Sequence, residues 1–265
     1  MDGVKPRLSK APPHARPHRS SHLGTSLNSS PLLRLLAGLG VAEVAPPAQS
    51  LAERWSPWLA WTDAITLSAV LGAGVPVAAA GPGQAAGVAA AINAVKRLRQ
   101  ELTQAFHSDS GLLAEAPSQT GSDAAGVAVA LDETDLAALR RRYQAQQRAM
   151  DERIAPVRAQ LRAALTGRGG DLARLAALDA VLDQALAARQ RRLLATVPSW
   201  LDQHFKRASA TLPAASALFQ RALLAELNLR LQAVEGLLDA LTQAQNSASS
   251  TPATDPTQTL ARGPA

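Results

Sequence analysis

Apolar residues recur every three or four positions through the second half of the chain. This spacing is typical of helices that bury one face. One such run spans residues 133–165, a second spans 171–197 and a third spans 213–241. Because short glycine and proline connections join antiparallel neighbours, the pattern predicts three long helices in an antiparallel bundle. A seven-residue repeat is only partly kept, which favours bundle packing over a long coiled coil.

Shorter apolar patterns occupy the first half of the chain. Ser30 and Pro31 are suited to the N-cap and the first turn of a short helix. A second helix is predicted to start near Ser50 and to continue through three tryptophans, with Pro57 either kinking it or starting a new segment. The apolar spacing predicts a third helix over residues 84–107.

These elements predict an all-α protein made of five parts. A small N-terminal helical unit at 29–107 and the long-helix bundle at 132–245 are the two folded parts. A flexible linker at 108–131, rich in Ser, Gly, Asp and Ala, joins them. The basic tail at 1–28 and the Ser/Thr/Pro tail at 246–265 bury too little apolar surface to order themselves, so we expect both to be disordered.

Composition narrows the class of protein further. The chain is 47% hydrophobic but only 3% aromatic, so leucine has to supply most of the burial. It contains no cysteine, which excludes disulfides, thiolate catalysis and zinc–sulfur sites. The first residues lack the apolar core of a signal peptide, and Gly and Pro interrupt the apolar stretch at 64–80. We therefore expect a cytoplasmic protein that does not insert into a membrane.

The aromatic residues are concentrated in one place. Three of the four tryptophans, Trp55, Trp58 and Trp61, lie within seven residues, and Asp63 follows. Tryptophan is enriched at interaction hot spots, but large rings also fill a core that is otherwise built of alanine. We favour the core interpretation and keep a partner surface as the alternative. The Asp63 carboxylate needs a partner, such as an indole N–H, a helix N-terminus or Arg54.

Basic residues form the second candidate site, in a chain of net charge +6. Three arginine-rich clusters, together with the basic tail, are suited to phosphate contacts that ignore sequence and weaken with salt. Acidic residues on the same helices, and the lack of an aromatic platform, favour solvated helix faces instead. The candidate anion contacts are Arg97, Arg99, Arg140, Arg141, Arg142, Arg189, Arg191 and Arg192.

No residue pattern identifies a catalytic, cofactor or metal site. Three histidines in the basic tail have helical spacing, but the prolines among them prevent the helix that would align them. The glycine-rich run at 75–87 lacks the second strand that a dinucleotide site needs. Asp179 and Asp183 share a helix face, a spacing too common to identify a hydrolase or a metal site. We expect no enzymatic activity, no cofactor, no metal and no small-molecule ligand.

Several segments carry a family resemblance. They are SPLLRLL at 30–36, SLAERW at 50–55, WLAWTDAITLS at 58–68, RRY at 141–143 and LLATVP at 193–198. Together they resemble a family of unknown-function proteins found mostly in Burkholderia-like proteobacteria. The resemblance implies no activity, cofactor or site residue. It implies an accessory role in a cell-envelope assembly, because members are encoded near peptidoglycan-binding proteins that resemble outer-membrane protein A.

The sequence therefore predicts a non-enzymatic helical scaffold or adaptor. We expect such a protein to bind a protein partner or to self-associate through its helices. The alternative is a nucleic-acid-binding protein that uses the basic tail and the arginine-rich helix faces without regard to base sequence.

Overall fold

The computed structural model describes residues 30–40, 59–73, 84–114, 132–208 and 211–249. Every element in these ranges is a helix, so the predicted all-α class is confirmed. None of these helices is both long enough and apolar enough to cross a lipid bilayer. The helices are α1 Pro31–Gly38, α2 Trp61–Gly72, α3 Gln84–Ala114, α4 Glu133–Thr166, α5 Gly170–Leu194, α6 Val197–Arg207 and α7 Leu212–Ser249.

Local sequence accounts for several helix ends. α1 begins with Ser30 as N-cap and Pro31 in its first turn, as predicted. α4 begins after Asp132, whose carboxylate accepts a hydrogen bond of 2.7 Å from the backbone N–H of Asp135. Between α4 and α5 the chain turns sharply, and Gly169 has a φ of +67°, a conformation that costs glycine little.

Other helix ends differ from the prediction. α3 continues to Ala114, past the predicted end at residue 107, and α7 continues to Ser249. The tail at 1–28, the segment at 115–131 and most of the C-terminal tail lie outside the described residues. A separate helix, α6, begins at Val197 with Pro198 in its first turn. Proline lacks the N–H that a helix interior requires and is tolerated in a first turn, where that N–H has no partner.

A single hydrophobic core lies between α3, α4 and α7. Its most completely buried side chains come from all three helices and from α6, which closes one end. The apolar positions predicted in α4 are buried, apart from the half-buried Val157. Almost fully buried core residues include Leu102, Phe106, Met150, Leu161, Leu201, Leu227 and Leu231.

The helices of residues 29–107 pack on the long helices. α1 lies against α7, α2 lies against α5, and α3 lies between α7 and α4. Leu36 of α1, Leu102 of α3 and Leu231 of α7 belong to the same core, whereas α2 contributes no buried residue to it. α5 lies at the side of the molecule, where most of its leucines are only half-buried. In this lateral position α5 packs against α2.

Candidate interaction surface and buried polar cluster

A buried polar cluster joins α4 to α7 in the middle of the core. Glu226 of α7 has no exposed surface, and its carboxylate accepts a hydrogen bond of 2.8 Å from the Tyr143 hydroxyl. The Gln147 amide donates to the same carboxylate at 3.0 Å and to the carbonyl of Leu194 at 2.9 Å. The Arg230 Nε atom donates to it at 2.7 Å. The polar cluster thus links α4 to α7 through Glu226, and to the end of α5 through Gln147.

The cluster follows from the spacing of polar residues along two helices. Tyr143, Gln147 and Asp151 are four residues apart on α4, and Glu226 and Arg230 are four apart on α7, so each set faces one side. Arg230 bridges buried Glu226 to Asp151, whose side chain is 42% exposed. Pairing a buried carboxylate with a guanidinium and two further donors offsets its loss of water. The bonds also fix the register of α4 against α7.

Sequence reasoning missed this cluster. The signal in the sequence was that polar residues occupy positions where the helical pattern predicts buried apolar residues. Gln147 lies on the buried stripe of α4 between Tyr143 and Met150, and Glu226 stands beside Leu227 in an apolar run of α7. Spacing along one helix does not reveal which residue of another helix will meet it, so the partners could not be assigned.

A second set of ion pairs fastens α5 to α4. The predicted carboxylates Asp179 and Asp183 do share a face of α5, and both accept hydrogen bonds from α4. Arg158 bonds to both oxygens of Asp179, at 2.9 and 2.5 Å, and to Asp183 at 2.6 Å. Arg162 bonds to each aspartate at 2.6 Å. Burial acts to lower the pKa of the Arg162 guanidinium, but its bonds to Asp183 and Asp179 outweigh burial and raise that pKa.

The two sets of ion pairs border a cavity of about 240 Å³ between α4, α5 and α7. Asp151 and Asp183 supply its carboxylates, and Arg158, Arg191 and Arg230 supply its guanidiniums. Both carboxylates are ion-paired to an arginine of α4 or α7. These ion pairs therefore hold neighbouring helices together. Asp183 joins α5 to α4, and Asp151 joins α4 to α7.

The structure corrects the core interpretation of Trp61. This residue opens α2 and its side chain is 80% exposed, so it does not fill the core. The reason is the orientation of α2, which turns Asp63, Leu67 and Val70 toward α5 and leaves Trp61 on the opposite side. Trp55 and Trp58 lie outside the described residues.

The partner of Asp63 is a helix N-terminus, one of the three candidates given by the sequence. Its carboxylate accepts a hydrogen bond of 2.8 Å from the backbone N–H of Ala60, the N-cap residue of α2. A carboxylate in the first turn also interacts favourably with the helix dipole. The charge is therefore satisfied within α2.

The outward side of α2 is an exposed surface without charge. Trp61 and Ile65 lie one turn apart on it, and Ile65 is 54% exposed. Leu71, 58% exposed, lies at its edge, and no residue of α2 is buried. We call this surface the α2 face. It consists of Trp61, Ala64, Ile65, Ser68, Ala69 and Gly72.

The predicted anion contacts fall into two groups. Arg99 donates to Asn228 at 2.7 Å and forms an ion pair with Glu235, and Arg140 lies 3.8 Å from a carboxylate of Asp202. Within-chain contacts also engage Arg142, Arg189 and Arg191. Those that are exposed and have no partner among the described residues are Arg97, Arg141 and Arg192.

Comparison with known proteins gives one match. A family model described as a protein of unknown function (DUF3348) matches residues 19–218, a range that contains α1 to α6 and ends within α7. No curated protein and no solved structure gives a significant match. The matched range includes the α2 face and Tyr143 but stops before Glu226.

The buried cluster predicts a strong effect of removing its carboxylate. Glu226→Ala should lower the free energy of unfolding by about 3–5 kcal/mol, because it leaves Arg230 buried without its main counter-charge. Glu235→Ala on the same helix is the matched control. Its ion pair with Arg99 is partly exposed and should contribute below about 1 kcal/mol. Urea denaturation at neutral pH measures both, and equal losses would contradict the central role of Glu226.

The cluster also predicts an alkaline dependence of stability. Burial, the charge of Glu226 and the hydrogen bond to it raise the pKa of Tyr143 well above its usual value of about 10. A raised folded-state pKa gives stability that is complete below pH about 10 and is lost above it, because only the unfolded chain releases the proton. We expect tyrosinate absorbance to appear together with unfolding, and Tyr143→Phe to flatten this pH dependence.

Tyr143 is the only tyrosine of the chain, so tyrosinate absorbance reports on this hydroxyl alone. Circular dichroism at each pH records whether the helices remain folded. A tyrosinate signal that develops near pH 10 while the helical signal is unchanged would show that the hydroxyl is not held by Glu226.

Proposed function

We propose that this chain, which belongs to the DUF3348 family of proteins of unknown function, is a non-enzymatic helical scaffold or adaptor. It binds a protein partner or a second copy of itself. The observation that carries the proposal is the α2 face, which leaves Trp61 80% exposed on a helix that buries no residue. Exposed apolar surface concentrated on one element is typical of interaction sites.

The energetic argument concerns the size of the exposed side chains. Burying one large apolar side chain contributes about 1.5–3 kcal/mol, so Trp61 and Ile65 together offer a substantial gain to any surface that covers them. Tryptophan is also among the residues most enriched at the centres of interfaces. A partner surface that is apolar and uncharged would therefore fit this side of α2.

The rest of the molecule supports a scaffold role through its rigidity. α2 lies on α5, and four ion pairs between two arginines and two aspartates fasten α5 to α4. The Gln147 bond to Leu194 adds a further link at the end of α5. An interaction helix mounted on elements fixed in this way loses little freedom when it binds, which favours affinity.

The setting that we propose is a cytoplasmic accessory role in a cell-envelope assembly of a proteobacterium. The support is the resemblance of segments 30–36, 50–55 and 58–68 to proteins of Burkholderia-like bacteria. One of these segments forms most of α2, so the resemblance is carried in part by the α2 face itself.

Site-specific photo-crosslinking in living cells tests the proposal. A photoreactive residue at Ser68, on the α2 face, should form a discrete crosslinked protein product, and Trp61→Ala should remove most of it. The matched control places the same residue at Leu33, an exposed apolar position on α1. Failure of Ser68 to crosslink to any protein, or the same products from both positions, would contradict the proposal.

A second candidate function, binding of nucleic acid, has one specific observation in its favour. A cavity of about 220 Å³ at the end of α1 places Trp200 of α6 beside His204 and Arg207. An aromatic ring next to a cation, here the Arg207 guanidinium, is the arrangement that binds bases and phosphates of single strands. Arg97, Arg141 and Arg192, which are exposed and have no partner among the described residues, add positive charge, although they lie on three different helices.

Fluorescence anisotropy with a mixed-sequence single-stranded DNA tests this second function. Binding should weaken steeply with salt, and Arg207→Ala should reduce the salt dependence by about one counterion. The matched control is Arg153→Ala, which removes an exposed cation of α4 away from the cavity. No change in anisotropy at low salt would eliminate this function.

A further inference from the structure

We propose that the α2 face binds the α2 face of a second copy of this chain, with the two helices antiparallel. The inference rests on the proposed function, because it takes this surface as a docking site and names its occupant. Three properties of the face lead to it: its lack of charge, the unequal size of its side chains and its limited area.

Charge restricts what can cover the face. The one ionisable residue of α2 is Asp63, which lies on the side toward α5 and is bonded to the Ala60 N–H. An acidic or basic partner would therefore find nothing on the face to pair with, and an anionic lipid surface would find no cation there. Two copies of a chain with net charge +6 repel each other elsewhere, so an uncharged face is where they can meet.

Side-chain size selects the direction of the pair. The large side chains Trp61 and Ile65 lie in the first half of α2, and the small residues Ser68 and Gly72 lie in the second half. In an antiparallel pair centred between Thr66 and Leu67, Trp61 lies opposite Gly72 and Ile65 lies opposite Ser68. Each large side chain then meets a small one.

The open space around Gly72 suits this arrangement. A Cβ atom placed on Gly72 would meet no atom of the described residues within 4 Å, so this part of the chain leaves open space beside the glycine. A parallel pair would instead put Trp61 against Trp61 and leave a gap at the glycines. Antiparallel helices also align their dipoles favourably.

The area of the face sets the strength of the pair. α2 has 12 residues, which gives a length of about 18 Å. The large side chains of the face are Trp61 and Ile65, so the face is smaller than the roughly 800 Å² that each partner buries in a standard interface. The structure thus assigns a weak, reversible dimer rather than an obligate one.

Sedimentation velocity over a concentration series provides the first measurement. The wild-type chain should pass from monomer to dimer as its concentration rises, and Trp61→Ser should weaken this dimer at least about tenfold. Leu33→Ser, at an exposed position on α1, is the matched control and should leave the dissociation constant unchanged. Because Trp61 is exposed, the variant should keep the helical content of the wild type.

Disulfide trapping provides the second measurement and tests the direction of the helices. The chain has no cysteine, so each single-cysteine variant carries one thiol. In the antiparallel pair the two copies of residue 68 lie about 4.5 Å apart along the axis, and those of residue 72 about 16 Å apart. Ser68→Cys should therefore form a disulfide-linked dimer under mild oxidation, and Gly72→Cys should not.

The outcomes separate this inference from the proposed function. A wild-type chain that stays monomeric at high concentration overturns the inference, as does a dimer that is insensitive to Trp61→Ser or a Gly72→Cys variant that crosslinks as fast as Ser68→Cys. If the chain is monomeric and photo-crosslinking from Ser68 still traps another protein, the inference alone fails. If neither is observed, the proposed function fails as well.

Discussion

The buried ion pair between Glu226 and Arg230 is the constraint on which the rest of the structure depends. A carboxylate without water in a helical core is tolerated only where donors converge on it, and here α4 supplies Tyr143 and Gln147. The buried apolar side chains of α4 and α7 include many leucines, and apolar contacts alone tolerate a shift along the axis. The polar contacts do not, because a shift by one turn would separate Glu226 from Tyr143 and Gln147.

The fixed register of α4 against α7 determines the positions of α5 and α2. Gln147 donates a hydrogen bond to the carbonyl of Leu194 and so fixes the end of α5. Arg158 and Arg162 form ion pairs with the middle of α5 and hold it to α4. α2 rests on α5 and has no buried residue of its own. The position of α2 therefore depends on the polar contacts that hold α5 to α4.

The sequence predicted the parts of the fold that depend on local pattern. Apolar spacing identified α4 and α7, and Ser30 with Pro31 identified the start of α1, because periodicity and capping act within one segment. The sequence did not predict that α3 joins the main core or that Glu226 has three polar partners, Tyr143, Gln147 and Arg230. Both depend on which helices become neighbours, and a single sequence carries no direct record of that.

Trp61 shows how the same limitation affects a candidate site. Size and apolarity favoured the core, and a monomer could have buried this ring by turning α2 half a turn about its axis. That rotation would also have moved Asp63 out into water, where a charge is least costly. The observed helix does the opposite, with Leu67 and Val70 inward and the larger Trp61 and Ile65 outward. The described residues leave Trp61 and Ile65 exposed in this orientation, and that exposure is the basis of the role proposed for the α2 face.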